Sequence, residues 1–276
     1  MYVGSYDAPI QDLSSYRLRL EELALLGFRS VGLAIDWDDH PRDLPGDERR
    51  ALADLVARHP LELRLHPDLG KLANQAQRHN ADLMVWTRQQ MEPLAEWALE
   101  LGALSICCDS IRADLDQTVD VLRLCIEITR GTPLKFGVEN SQRGIINSPA
   151  RMNEAVDRIG DERMGLLVDV GHINTTIANG WIDCPSPAAF LAALQVPIWD
   201  THIHNNNGRT DGHLTVRDSQ GTLDMVAVVE GFRAQGYSGP LNMECARKEQ
   251  GWTLGQMEGT LVADKAYLES LIGAAG

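Results

Sequence analysis

The 276 residues suffice for one large domain with a substantial core, and the 44% hydrophobic content belongs to a globular chain, which excludes disorder. With 39 acidic against 25 basic residues the formal charge is −14, a surface that repels phosphate backbones and anionic lipid, so neither nucleic acid nor membrane is expected as a partner. Five cysteines without a CxxC pair suit a reduced, intracellular protein. No basic-then-apolar leader opens the chain, and no apolar run approaches the roughly 20 residues of a membrane span. The expectation is therefore a cytoplasmic protein.

In chain order, short apolar runs predict strands over 2–5, 30–35, 61–66, 104–108, 134–139, 165–169, 198–204 and 240–244. Helical spacing predicts helices over 11–26, 47–59, 88–101, 115–130, 149–159, 187–195, 223–235 and 257–272. The clearest is 11–26, where six leucines precede Gly27, a helix stop. The stretches 66–87, 171–186 and 205–222 read as long loops after strands. Eight strand–helix pairs are the count for a closed barrel. An open doubly wound sheet alternates in the same way, but it usually carries a glycine-rich phosphate turn after its first strand, and GSYDAPI is not one. The predicted fold class is α/β, a single (β/α)8 TIM barrel over 1–276.

Four polar residues close four successive strands: Glu139 in LKFGVEN, Asp169 in MGLLVDVGH, His202 in PIWDTHIHNNNG and Glu244 in GPLNMECA. In a parallel barrel these ends meet at one rim, where such barrels keep their active sites. One such residue would cap or solvate its own strand; four in series predict a divalent-metal site. Three carboxylates and an imidazole form an oxygen-rich set suited to Mn²⁺, with Mg²⁺ or Co²⁺ as alternatives, rather than a sulfur-rich structural zinc site. One divalent ion would leave two adjacent coordination positions for a polyol or hydroxyketone, and as a Lewis acid it would stabilise an enediolate. His204 lies on the same side of its strand as His202 and is the alternative ligand.

These motifs resemble the xylose-isomerase-like barrels, the sugar phosphate isomerase/epimerase superfamily. VDVGHINTT resembles that group's sixth-strand motif, which implies Asp169 as ligand and His172 as substrate contact. THIHNNNGRTDGHL resembles the seventh-strand motif with His202 as ligand, although Asn205 stands where the group has Asp. GYSGPLNMEC resembles the entry to the eighth strand and ends on Glu244; FGVEN supplies Glu139. The resemblance implies an isomerase or epimerase of a carbohydrate or keto-sugar in which Glu139 and Glu244 also move protons.

Other rim residues carry weaker signals. His66 closes the third strand and is a candidate substrate contact, as are Arg209 and Trp37, for which a solvated arginine and a core-covering tryptophan are the alternatives. Asp211 and His213 resemble a second metal pair of endonuclease IV-like phosphodiesterases, but the net charge is wrong for DNA and Cys108-Asp109 replaces a histidine needed there. Only Arg209, Arg217, Arg247 and Lys248 lie near the rim as phosphate ligands, so a small, unphosphorylated carbohydrate is expected. A lyase acting on a keto-sugar, cyclitol or dehydroshikimate-like acid is the alternative chemistry. A homo-oligomer is left open.

Overall fold

The computed structural model describes residues 1–11, 13, 15–38, 40–111, 114–246 and 251–274. Arg247 and Lys248 lie outside them. Eight parallel strands run in the order β7-β6-β5-β4-β3-β2-β1-β8. They are β1 (Tyr2–Tyr6), β2 (Ser30–Ile35), β3 (Glu62–Pro67), β4 (Ser105–Cys108), β5 (Lys135–Glu139), β6 (Met164–Asp169), β7 (Ile198–His202) and β8 (Pro240–Met243). Consecutive strands pair side by side through β7, and β1 also pairs with β8. Helices surround the sheet, so the architecture is the (β/α)8 barrel. They are α1 (Tyr16–Leu25), α2 (Gly46–Arg58), α3 (Leu69–Arg78), α4 (Leu83–Glu100), α5 (Leu115–Ile128), α6 (Pro149–Ile159), α7 (Val170–Ala178), α8 (Pro187–Ala192), α9 (Met225–Ala234) and α10 (Leu254–Gly273). Helix residues such as Leu20, Leu52, Trp97, Leu122, Phe190 and Phe232 pack with strand residues such as Leu33, Leu63, Phe136 and Leu166 into one buried layer.

Two of the expected loops are partly helical. In 66–87, Leu69, Leu72 and Ala76 form a buried face at helical spacing, and Asp68 caps α3 by accepting the Lys71 N–H; α4 also begins earlier, behind the Asp82 cap. In 171–186, α7 is built from Gly, Thr, Asn and Ile, poor helix formers that hide it from a sequence reading. Its formation rests on burial of Val170, Gly171, Ile173, Thr175 and Thr176 and on Asp169, whose side chain caps it. The stretch 205–222 holds no helix. Strand β7 ends at His202 rather than 204, and Glu244 directly follows β8.

Two details of the sheet set up the rim. The register between β6 and β7 shifts at Leu166/Leu167, so Leu166 pairs with Ile198 and Leu167 with Asp200. Trp199 is the extra residue, and this bulge advances β7 by one residue against β6, setting Asp200 opposite Leu167 and His202 opposite Asp169. The seam between β7 and β8 has a single isolated backbone bridge, Ile203 to Met243. Lower down, the Thr201 hydroxyl fills in, donating to Pro240 O (2.9 Å) and accepting the Asn242 N–H (3.1 Å).

A charged floor underlies the rim. Buried Asp200 accepts hydrogen bonds from the Tyr6 hydroxyl (2.6 Å), the Asn242 amide (2.6 Å) and the Thr201 N–H (2.8 Å), with Arg64 Nε at 3.7 Å. The Tyr6 ring crosses the space left at Gly32, where a Cβ would lie 2.3 Å from Tyr6 Cε1. Removing the carboxylate takes the acceptor from three buried donors and leaves buried Arg64 with Glu62 alone as a facing carboxylate. We expect Asp200→Ala to lower the unfolding free energy by about 3–5 kcal/mol in urea titrations, as breaking a buried ion pair does; a negligible loss would show that the floor is inert filling.

Candidate metal centre

At the C-terminal rim His202 Nδ1 lies 2.9 Å from Glu244 Oε2, 3.1 Å from Glu139 Oε1 and 3.6 Å from Asp169 Oδ2. Glu139, Asp169 and His202 are almost wholly buried, and the Glu244 side chain is 15% exposed, so the cluster opens to solvent beside Glu244. An ion about 2.1 Å from each ligand spaces neighbouring ligand atoms roughly 3.0 Å apart in octahedral and 3.4 Å apart in tetrahedral geometry. The observed separations of 2.9, 3.1 and 3.6 Å bracket those values within about 0.2 Å, so the donor set fits one divalent ion. Charge gives the same answer: among the described residues, every ion-pair partner of Glu139, Asp169 and Glu244 is a histidine. Among the described residues no lysine or arginine offsets these largely buried carboxylates, and burial of uncompensated charge is costly.

Each ligand is placed by local structure. Asp169 divides its oxygens: Oδ1 caps α7 by accepting the His172 N–H (2.7 Å), and Oδ2 lies between His204 Nε2 (3.3 Å) and His202 Nδ1 (3.6 Å). His204 does not share the position of His202. Its Nε2 lies 3.2 Å from Asp169 Oδ1 and 3.6 Å from Asp211 Oδ1, and its ring occupies space that exists because residue 171 is glycine; a Cβ there would sit 1.9 Å from His204 Cε1. The Nδ1 atoms of His172 and His213 donate to the carbonyls of Asn140 (2.7 Å) and Glu244 (3.0 Å). Both Nε2 atoms therefore face Asp211 Oδ2, each at 3.1 Å. His204 and His213 stack with centroids 4.2 Å apart. Asp211 thus gathers three imidazoles, and His204, Asp211 and His213 form a second group whose ligand atoms lie within 4.8 Å of one another.

His66 reaches the cluster from β3. Its Nδ1 donates to Cys107 O (2.8 Å), and its Nε2 lies 3.4 Å from Glu139 Oε2 and 3.6 Å from Asp109 Oδ2. Trp37 is buried in the core, its N–H donated to Asp68 O and its ring stacked on His40, so packing occupies it. Arg209 is an exposed loop residue. Asn205, in the place of an aspartate, organises the loop after β7: its amide donates to Val216 O and Leu223 O, and its oxygen accepts the Leu223 N–H. A carboxylate could not make those donations. Asn140 and the Tyr6–Asp200 pair escaped the sequence reading. The VEN triplet offered a signal for Asn140, but nothing local marks Tyr6.

Burial drives the Glu139 carboxyl up to about 7 against the pull of His202. For Glu244 burial acts the same way, but the charge and hydrogen bond of His202 outweigh it and hold the group at about 2. Burial would lower His202, His172 and His213. The facing carboxylates override it in all three, and His213, bonded to Asp211, reaches about 10.

An eight-stranded parallel barrel with a histidine–carboxylate cluster at its C-terminal rim is the class of protein that fold and site define. The family model for the xylose isomerase-like TIM barrel matches residues 20–269, and the chain belongs to that family. Uncharacterized protein MJ1311 of Methanocaldococcus jannaschii is 31% identical over 136 residues, 47% of this chain and 43% of that protein, so the match spans less than half of its length. Among solved structures the chain is similar to IOLI protein with a bound zinc atom (TM-score 0.74, 17% identity, 98% of each chain). It is also similar to a D-tagatose 3-epimerase-like protein (TM-score 0.72, 19% identity, 98% of this chain and 99% of that one). A third is the probable 3-DHS dehydratase AsbF of Bacillus anthracis (TM-score 0.69, 13% identity, 98% and 99%). At these identities the likeness is one of fold.

Without metal, protons on the histidines balance the carboxylates, and this sets a pH dependence. A raised histidine stabilises fully below its ordinary value and loses that contribution as pH rises through its folded value, for His213 between 6.5 and about 10. Glu139, raised from 4.5 to about 7, acts in the same direction, whereas Glu244, lowered from 4.5 to about 2, loses its contribution on the acid side. The Tm of chelator-treated protein should therefore fall as pH is raised from neutrality, and divalent metal, which replaces those protons, should restore it. An alkaline-stable Tm in chelator would contradict this account.

Proposed function

We propose that the chain is a divalent-metal-dependent isomerase or epimerase of a carbohydrate or keto-sugar, with Glu139, Asp169, His202 and Glu244 holding one ion, Mn²⁺ by preference. The observation that carries this reading is the convergence of three buried carboxylates on His202 Nδ1 at the open end of the barrel. When bound, the metal supplies Lewis acidity towards adjacent substrate oxygens. Glu139 and Glu244 stand three strands apart, on β5 and after β8, a disposition suited to removing a proton from one face of a carbon and returning one to the other. His66 and His172 flank them and would orient substrate hydroxyls, each with one nitrogen fixed by a backbone carbonyl and the other turned to the carboxylates of the rim, Glu139 and Asp109 for His66 and Asp211 for His172. The fold likeness to a D-tagatose 3-epimerase-like protein supports the reading.

Elimination branches from the same proton abstraction, and the fold likeness to a dehydratase keeps a lyase as the alternative outcome. The Asp211 group favours a further reading, a centre holding two ions for phosphoester hydrolysis; a charge of −14 opposes it for DNA. Metal stoichiometry separates the two: one equivalent per chain is expected, and two, with the second lost in Asp211→Asn, would support hydrolysis.

For the main reading, the metal-stripped protein should be inactive towards a panel of ketoses and aldoses, with Mn²⁺ or Co²⁺ restoring turnover better than Zn²⁺. In D₂O the reacting carbon should acquire deuterium. Glu139→Gln and Glu244→Gln, loaded with Mn²⁺ and checked for occupancy, should each lose roughly 10²–10⁴-fold in turnover. Near-normal rates in both would leave the glutamates as ligands only, and a new enone absorbance would reassign the enzyme as a lyase.

A further inference from the structure

The ladder between β5 and β6 ends with Glu139 opposite Leu167. The next rung is made by a side chain. Asn140, 2% exposed, accepts the Asp169 N–H on its Oδ1 (2.8 Å) and donates its Nδ2 to the Asp169 carbonyl (2.9 Å). Only an amide can do both, and the two contacts fix which end of it is oxygen. The Asn140 carbonyl also receives the His172 Nδ1–H at 2.7 Å, which directs Nε2 towards Asp211. One residue thus clamps the peptide that bears the Asp169 carboxylate, adjoins Glu139 in the chain and orients His172.

From this juxtaposition we infer that Asn140 is a positioning residue for the metal centre. It holds the carboxylates of two neighbouring strands at the separation that one ion requires. The inference rests on the metal-centre reading above. Beyond the last backbone rung, strand ends diverge unless something ties them, and a ligand displaced by a few tenths of an ångström binds a small cation poorly. Outer partners that orient ligands are typically worth roughly 10–100-fold in metal affinity. An alanine at 140 would also leave the buried N–H of Asp169 without its acceptor and remove a donor from its C=O, and an aspartate would turn that donor contact into oxygen facing oxygen.

The test uses the full chain, stripped of metal and titrated with Mn²⁺ alone, following free Mn²⁺ by EPR. Asn140→Ala and the isosteric Asn140→Asp should each bind Mn²⁺ roughly 10–100-fold more weakly than wild type. Asn153 serves as the control, because its amide makes a comparable two-way bridge, to Ala193 O and from Gln195 N, in the helical layer. Asn153→Ala should lower the metal-free Tm and leave Mn²⁺ affinity unchanged. If the Asn140 variants lose Tm yet bind Mn²⁺ as wild type does, Asn140 is merely structural and the inference is wrong. Should Asn140→Ala not fold, Asn140→Asp decides alone. Failure of wild type itself to bind Mn²⁺ would instead overturn the metal-centre reading, and this inference with it.

Discussion

Burying several carboxylates within a few ångströms of one another is the constraint on which the rest of this structure depends. Glu139, Asp169 and Glu244, with Asp211 beside them, repel one another in a region largely closed to water, and their described partners are imidazoles. Desolvating one carboxylate is already expensive, and each further one adds repulsion. A fold bears such a cost where the charges have work to do, and a shared cation is the simplest relief. The backbone bonds that fix His66, His172 and His213 make sense in that light, since each holds the nitrogen facing away and presents the other to the carboxylates.

The barrel converts this chemical demand into strand geometry. Parallel strands bring their C-terminal ends to one rim, and the bulge at Trp199 sets His202 level with Asp169 on the neighbouring strand, with Asp200 two residues below for the floor. The floor supports the rim directly: the Tyr6 ring, anchored through its hydroxyl to Asp200, meets the rings of His202 and His66 edge to face at 4.4 and 5.8 Å. Ligand positions are thereby restrained from below as well as from the sides.

The strands and the four convergent residues were legible in the sequence because a buried strand ending in a lone polar residue is a local pattern. Helices α3 and α7 were not. The first is amphipathic but polar enough to pass for a loop, and the second consists of residues whose own preference is against helix, overridden by burial and by the Asp169 cap. Trp37 was ambiguous from sequence: its place just beyond a strand end suited a wall for a sugar or a cover for the core, and its indole nitrogen is tied to Asp68 O inside the core. The roles of Asn140 and Tyr6 depend on partners 29 and 194 residues away, which no local pattern encodes, and the spacing that flagged Asp211 with His213 gave no sign of its bond to His172, 39 residues away.

The seam between the seventh and eighth strands has a consequence for how the barrel holds its shape. Elsewhere neighbouring strands are joined by a backbone ladder, but here one bridge and the Thr201 hydroxyl do the joining. His202 and Glu244 stand on opposite sides of that join, 2.9 Å apart. An ion seated between them is a rivet across the weakest line of the cylinder. The bridge already closes the ring, and an ion held by both residues would tighten it there, so slower amide exchange along β7 and β8 would mark a loaded state.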